Sequence, residues 1–300
     1  MGAKVAEPPA TKSQKSRGKK IGGAPAMALA AEHMNEIETV RLAGRSLGGA
    51  GGVPLLLLHG LLGSARNWQT AGAALAGEGG GREVWALDLR NHGRSPWHGR
   101  MSYEAMVADV LGWMDGQGWG AVDLLGHSMG GKTAMLLAAR RPERVRRLLV
   151  VDIAPRAYLS HGHRAEFAAM NELRLETLGS RGEAEMRMEG RVPDWGMRKF
   201  LATNLERGED GVWRWLVNLP VLTAALPELE GDPLGAGEGF AGPTLFLRGG
   251  RSRYVEEGDL ARIAACFPGA RVETIAGSGH NPHMEERAEF CARAGAFLAG

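Results

Sequence analysis

The sequence predicts an α/β fold: an open, mostly parallel sheet with helices on both faces and a helical block inserted into it. Three observations carry this. Short apolar runs alternate with stretches of helical periodicity from Val53 to Val151. The alternation stops after Pro155 and resumes at Thr244. Gly126-His127-Ser128-Met129-Gly130 is a G-x-S-x-G run between a strand and a helix, the strand–turn–helix setting that an exposed nucleophilic serine needs.

Taken in order, residues 1–35 are rich in Lys, Pro, Ala and Gly and read as a disordered basic extension. Ile37 to Ala43 alternates enough for a first strand, and Arg45 to Gly52 reads as a turn or short hairpin. Val53 to Leu58 is a continuous apolar run, as a strand covered on both faces requires. Trp68 to Leu75 is a helix, Glu83 to Leu87 a strand ending at Asp88, and Tyr103 to Gly116 a helix with Met106, Val107, Val110, Leu111 and Met114 at helical spacing. Ala121 to Leu125 is a strand, Gly130 to Arg140 a helix and Val145 to Val151 a strand.

From Tyr158 to about Leu229 the pattern is helical, with candidates at Ala165 to Leu178, Met197 to Leu205 and Val212 to Val217. A strand at Thr244 to Arg248, a helix at Glu256 to Cys266, a strand at Arg271 to Ile275 and a helix at Glu285 to Leu298 close the chain. The expected division is a core of residues 36–155 and 234–300 with a helical lid, residues 156–233, hinged near Pro155 and Pro233.

Composition narrows the function class. The chain has 300 residues, 44% hydrophobic and 23% charged, as in ordinary globular proteins. Its net charge of +2 owes much to Lys4, Lys12, Lys15, Arg17, Lys19 and Lys20 of the extension, so no nucleic-acid partner is expected. Cys266 and Cys291 make no disulfide framework, and a reduced, cytoplasmic setting follows. No apolar stretch approaches eighteen residues, so integral membrane association is not expected. No G-x-G-x-x-G follows the first strand, Gly130-Gly131-Lys132-Thr133 lacks the phosphate-loop spacing, and there is no H-E-x-x-H or paired-Cys motif. Neither a cofactor nor a metal is expected; the expected partner is a small acyl ester or thioester, bound by a monomer or homodimer.

A serine hydroxyl needs a base, and the base needs an orienting acid. Ser128 is the candidate nucleophile. His280, in the loop after the last strand, is the candidate base, with His283 as rival. His59 and His127 are read as packing and hydrogen-bonding residues. The strand after the helical block runs into Arg248-Gly249-Gly250-Arg251-Ser252-Arg253 without a carboxylate. Asp152, at the end of Val150-Val151, is therefore the preferred acid, with Glu256 or Glu257 as alternatives. Asp88 is read as holding Arg90 or the neighbouring loops. Backbone amides of Leu61 and Met129 are the candidate oxyanion donors. Trp68, Met129, Trp97, Phe167, Trp195, Trp213 and Trp215 are candidates to line an apolar acyl pocket, and Arg90, Arg94 and Arg156 to bind an anionic substrate group.

Leu58-His59-Gly60-Leu61-Leu62-Gly63-Ser64, Asp88-Leu89-Arg90-Asn91-His92-Gly93-Arg94-Ser95, Gly126-His127-Ser128-Met129-Gly130-Gly131-Lys132 and Val151-Asp152-Ile153-Ala154-Pro155 resemble one branch of the α/β-hydrolase superfamily. It is the branch of small bacterial carboxylesterases and thioesterases related to the mitochondrial abhydrolase-domain esterases. The likeness covers residues 37–299. It implies an α/β-hydrolase fold, hydrolysis of carboxylic or acyl-CoA esters, Ser128, Asp152 and His280 as the triad, and oxyanion amides at Leu61 and Met129. Asn281-Pro282 departs from the branch's usual aromatic–aliphatic pair beside the histidine, and Arg251 and Arg253 add charge to the Gly-Gly turn. A lactone, carbon–carbon or peracid reaction on the same triad, or a ligand-binding protein on this scaffold, stays open.

Overall fold

The computed structural model describes residues 37–78, 81–158 and 163–300. The extension expected over residues 1–35 lies outside them. A seven-stranded sheet forms the frame: β1 (Gly44–Gly48), β2 (Leu55–Leu58), β3 (Val84–Leu87), β4 (Val122–His127), β5 (Val145–Val151), and, after the inserted segment, two more strands. Its order is β1-β3-β2-β4-β5-β8-β9, where β8 is Thr244–Gly249 and β9 is Ala270–Ile275. Only β1 runs antiparallel to its neighbour.

The helices of the frame are α1 (Gln69–Glu78), α2 (Tyr103–Gly116) and α3 (Met129–Arg140) before the inserted segment. The insertion carries α4 (Arg164–Glu172), α5 (Arg181–Arg187), α6 (Trp195–Ala202) and α7 (Leu219–Glu230), with a two-stranded hairpin, β6 (Leu205–Arg207) and β7 (Trp213–Trp215), between α6 and α7. The frame then closes with α8 (Leu260–Cys266), α9 (Pro282–Glu285) and α10 (Arg287–Ala299).

Successive residues of a strand face opposite sides of a sheet. Leu55 and Leu57 of β2 therefore join one apolar cluster with Leu125, Leu149, Val151, Leu245 and Leu247, while Leu56 and Leu58 join the other with Leu124, Leu148, Val150 and Phe246. All are at or near zero exposure, which is why these strands read as continuous apolar runs.

Two expected elements are replaced, and two helices of the insertion were not expected. Ile37 to Ala43 is not a strand, although Ile37 and Leu42 are buried. Its backbone donors bond to side chains: the Val40 amide donates to Asp109 Oδ1 at 2.7 Å and the Ala43 amide to Ser95 Oγ at 2.8 Å. The first strand is instead Gly44–Gly48, placed where a turn was expected. Val212 to Val217 is not a helix; Trp213–Trp215 pairs with Leu205–Arg207 across a turn in which Gly211 has φ 77°. Aromatic side chains favour such a pleated surface. Helices α5 and α7 have no counterpart among the expected helices; in α7 the reason is its prolines. Pro220 in its first turn is tolerated there, but together with Pro227 it obscures the helical signal.

Among the described residues, no helix is long and apolar enough to cross a membrane.

Candidate active site

In strand order β3-β2-β4, the chain leaves β2 toward one side and returns to its other side. Ligand sites in open α/β sheets form beyond the carboxyl ends of strands at such a reversal. Leu58 and Gly126 are register partners at this point, so the loop after β2 and the turn after β4 lie side by side.

Ser128 occupies that turn with φ 51° and ψ −118°, a conformation that costs a non-glycine residue of order 1–3 kcal/mol. The surrounding contacts hold it there: its amide donates to Val151 O at 3.1 Å and its carbonyl accepts from the Lys132 amide at 3.0 Å. The two glycines of the motif exist for close approach. A Cβ on Gly126 would stand 2.2 Å from Gly130 O, and one on Gly130 would stand 2.6 Å from His59 O. Strain is not confined to the serine. Leu62, Asn91, Ser128 and Asp152, at the ends of four adjacent strands, all have positive φ.

His280 Nδ1 donates to Asp152 Oδ2 at 2.7 Å. Asp152 is buried and receives two further bonds, from the Gly249 amide to Oδ1 at 2.9 Å and from the Ser252 hydroxyl to Oδ2. With Nδ1 carrying the proton, Nε2 of the neutral ring is the nitrogen able to accept one. The Tyr254 ring stacks on His280 with centroids 3.8 Å apart. Glu285 pins the loop that carries it, accepting from the Gly279 amide at 2.7 Å and the Asn281 amide at 3.0 Å. Pro282 begins the short helix that supplies Glu285, so the Asn281-Pro282 departure builds the loop's anchor.

The rival residues do not take these roles, although His283 borders the cavity that Ser128 and His280 share. His283 is buried, its ring 4.2 Å from that of Trp68, and burial lowers its pKa to about 3. Glu256 caps the turn Glu257–Asp259 and faces Arg253, while Glu257 faces Arg248. Asp88 holds loops but not Arg90: it accepts from the amides of Ala65 and Arg94, and Arg90 is paired with Asp109. His127 Nε2 donates to His280 O at 2.8 Å.

The loop after β2 is set by two buried neutral histidines. His59 Nε2 accepts from the Leu89 amide at 2.9 Å, and His92 Nε2 accepts from the Leu62 amide at 3.2 Å. An imidazolium could not accept these bonds, and burial lowers the two pKa values to about 4 and about 3. The Gly63 amide is taken by Gly60 O and the Leu62 amide by His92, and Leu61 borders both cavities onto which Ser128 opens, which keeps its amide a candidate oxyanion donor. The Met129 amide, the other candidate, stands at the first position of α3, where helical amides lack intrahelical partners.

Ser128 opens onto two cavities. One of about 320 Å³ is lined by Leu61, His127, His280, Asn281, Met197 and Phe200. The other, of about 50 Å³, is lined by Met129, Tyr103, Lys132, Tyr158, Leu226 and Tyr254. Of the apolar candidates, only Met129 borders either cavity. Trp68 and Phe167 are core residues, Trp213 and Trp215 belong to the hairpin, and Trp97 and Trp195 are 55% and 57% exposed. Aromatic type alone does not tell a core residue from a pocket wall. Among the arginines, Arg90 is buried in its ion pair, Arg94 faces Glu206 and Arg156 faces Asp259. Residues that the sequence motifs did not single out for the site are Ser252, Tyr254, Glu285 and Lys132. The Gly-Gly-x-Ser turn was the available signal for the first.

Lys132 is buried, and desolvation pulls its ammonium down from 10.5 to about 7. Among the described residues, no group of three or more His, Cys, Asp or Glu is arranged to hold a metal ion.

Comparison with known proteins follows the same lines. A family model described as the alpha/beta hydrolase family matches residues 55–294. The chain is 41% identical over 248 residues to the sn-1-specific diacylglycerol lipase ABHD11 of Xenopus tropicalis, covering 81% of this chain and 77% of that protein. It is 36% identical over 234 residues to the esterase YbfF of Escherichia coli K12, covering 78% and 88%. The solved structure of a marine microorganism esterase superposes with a TM-score of 0.82 at 34% identity, covering 86% of this chain and all of that one.

Proposed function

The chain belongs to the alpha/beta hydrolase family, and from that premise we propose that it is a serine carboxylic-ester hydrolase acting on small or medium acyl esters. The observation that carries the reading is the strained Ser128 sharing a cavity with His280, whose Nδ1 is held by Asp152. Ser128 Oγ attacks the ester carbonyl as His280 Nε2 takes its proton, and the carbonyl π pair moves onto the oxygen. The amides of Leu61 and Met129 stabilise that oxyanion, and Asp152 favours the imidazolium. Collapse expels the alcohol, which takes the proton from His280 and leaves an acyl-serine. Water, deprotonated by His280, then releases the acid and restores Ser128.

Because His280 must protonate the departing oxygen, the leaving group belongs in the larger cavity beside His280 and Asn281. The acyl group belongs in the smaller one, beside Met129 and Tyr254. A fluorophosphonate probe tests the reading: Ser128 should label in the wild type and not in Ser128→Ala. Absence of labelling in the folded wild type would favour a ligand-binding protein on this scaffold.

One observation favours a second reading, an acyl-CoA thioester. A groove of about 990 Å³ shares Asn67, His283 and Met284 with the leaving-group cavity and is bordered by Arg45, Arg66, Arg94 and Arg287. Guanidinium groups suit phosphates. Thioester turnover that falls when Arg66 and Arg287 become glutamate, with neutral esters unaffected, would select this reading.

A further inference from the structure

Lys132 stands one helical turn after Ser128, on α3, and borders the small cavity. Its ammonium donates to Glu230 O at 3.2 Å, to Leu229 O at 3.4 Å and, at shorter range, to Gly231 O. Those carbonyls end α7, where the last turn of a helix has acceptors without intrahelical donors and carries the negative end of the helix dipole. The ammonium also lies 4.7 Å from the Tyr158 ring centroid and 5.7 Å from that of Tyr103. Both tyrosines tie into the same end of α7. Tyr103 OH donates to Leu229 O at 2.6 Å, and the Tyr158 amide donates to Glu230 O at 2.7 Å.

No carboxylate forms an ion pair with Lys132 among the described residues. Glu230 pairs with Arg164 and Asp232 with Arg262. A buried cation without a carboxylate is costly unless its donors are satisfied, and here all three are offered to the end of one helix. A leucine or methionine would fill the same space without that cost, but it would take the Lys132 donor from Gly231 O and leave Leu229 O and Glu230 O with Tyr103 and Tyr158 alone.

We propose that Lys132 is a specificity-determining positioning residue: it clamps the C-terminal end of α7 onto the nucleophile helix and thereby closes the far end of the acyl cavity, restricting the enzyme to short acyl groups. This rests on the ester-hydrolase reading and extends it to acyl length. A cavity of about 50 Å³ holds only a few non-hydrogen atoms, whereas the leaving-group cavity is about 320 Å³. Leu226 and Leu229 of α7 form part of the small cavity's wall, so releasing the helix end enlarges the acyl side without touching Asp152 or His280.

The test compares the wild type, Lys132→Met and Lys132→Arg with p-nitrophenyl acetate, butyrate, octanoate and decanoate. The wild type should prefer acetate and butyrate. In K132M the octanoate-to-acetate ratio of kcat/KM should rise about tenfold or more, the discrimination that one or two methylenes carry in an apolar pocket, chiefly through KM. K132R, which keeps the donors, should stay nearer the wild-type ratio. Hydrogen exchange at residues 226–231 should accelerate in K132M. If K132M does not fold, Lys132→Gln, which shortens the reach, replaces it.

An unchanged ester ratio overturns the specificity assignment, as does a wild type that cleaves octanoate as well as acetate. Unchanged exchange at the end of α7 overturns the clamp, and that readout needs no turnover. Failure of the ester-hydrolase reading would show separately, as absent fluorophosphonate labelling in the wild type.

Discussion

The carboxyl edge of the sheet and the inserted segment are held by different kinds of contact. At the edge, buried side chains bond directly to backbone amides: Asp88 to Ala65 and Arg94, His59 to Leu89, His92 to Leu62, and Asp152 to Gly249. Apart from the Asp88–Arg94 bond, which lies within the loop after β3, each ties the end of one strand to that of its neighbour, and the positive-φ residues sit among them. The insertion is attached by bonds of another kind, most of them from side chains to carbonyls or to other side chains, among them Tyr103 OH to Leu229 O, Tyr158 OH to Tyr254 O and the Arg262–Asp232 pair. Asn204 Nδ2 donates to Leu62 O at 2.8 Å, Asn218 Nδ2 to Asn91 Oδ1 at 3.0 Å, and Lys132 reaches the end of α7. The exposed pair of Arg94 and Glu206 adds little, because water screens it.

The edge is therefore over-determined and can store strain, while the insertion is seated by separate side-chain contacts with the frame. Changes at the edge should affect the chemical step, and changes at the insertion should affect which substrate fits.

The largest expected effect would come from the edge. Asp152→Asn should lower kcat on p-nitrophenyl butyrate by about 10⁴, as when the orienting acid of such a triad is neutralised. The Glu256→Gln, Glu257→Gln double variant should stay within about twofold, since both groups are exposed pairing residues. Near-wild-type turnover in D152N would break the comparison at its main point.

Acid should act on the edge next. His59, His92 and His283 have pKa values of about 4, 3 and 3 in the folded chain against 6.5 in the open chain. The unfolded state thus binds more protons below pH 6.5, so the stability from keeping these rings neutral is full above 6.5 and is lost as pH falls toward 4 and 3. At pH 5 the loss is about 2 kcal/mol per histidine. Thermal unfolding between pH 7.5 and 5 should show a steep fall in Tm, and a flat profile would mean these rings do not carry the loops.

A smaller effect is expected from Ser252→Ala, which removes one of three donors to Asp152. A lost bond to a charged group predicts a drop in kcat of about tenfold with KM nearly unchanged. The smallest should come from the insertion. Asn204→Ala breaks its bond to Leu62 O and should raise KM a few-fold, at a stability cost of about 1 kcal/mol. If N204A lowered kcat as far as S252A does, the two regions would not divide the work as proposed.

Legibility follows the same division. The central strands of the frame were readable because both of their faces are buried, which forces unbroken apolar runs such as Leu55–Leu58, whereas β1, exposed at all but Leu47, was not. In the insertion, Trp213 and Trp215 carried no periodicity that separated helix from hairpin, and Pro220 with Pro227 obscured α7. The aromatic pocket failed for a related reason. The walls of the two cavities come from Tyr158, Tyr254, Leu226, Phe200 and Lys132, residues distant in sequence that converge only after folding.

By itself the sequence determined the frame strands from β2 to β5 and β8 to β9 and the tight serine turn with its glycines, because these depend on local backbone geometry and on runs buried by the sheet. Only the tertiary structure decided which side chains meet. Ser252 reaches Asp152 across 100 residues, His92 holds Leu62 across 30, and Lys132 closes on carbonyls 97 to 99 residues away. Such contacts are set by strand register and by how the insertion seats, and no local pattern records either.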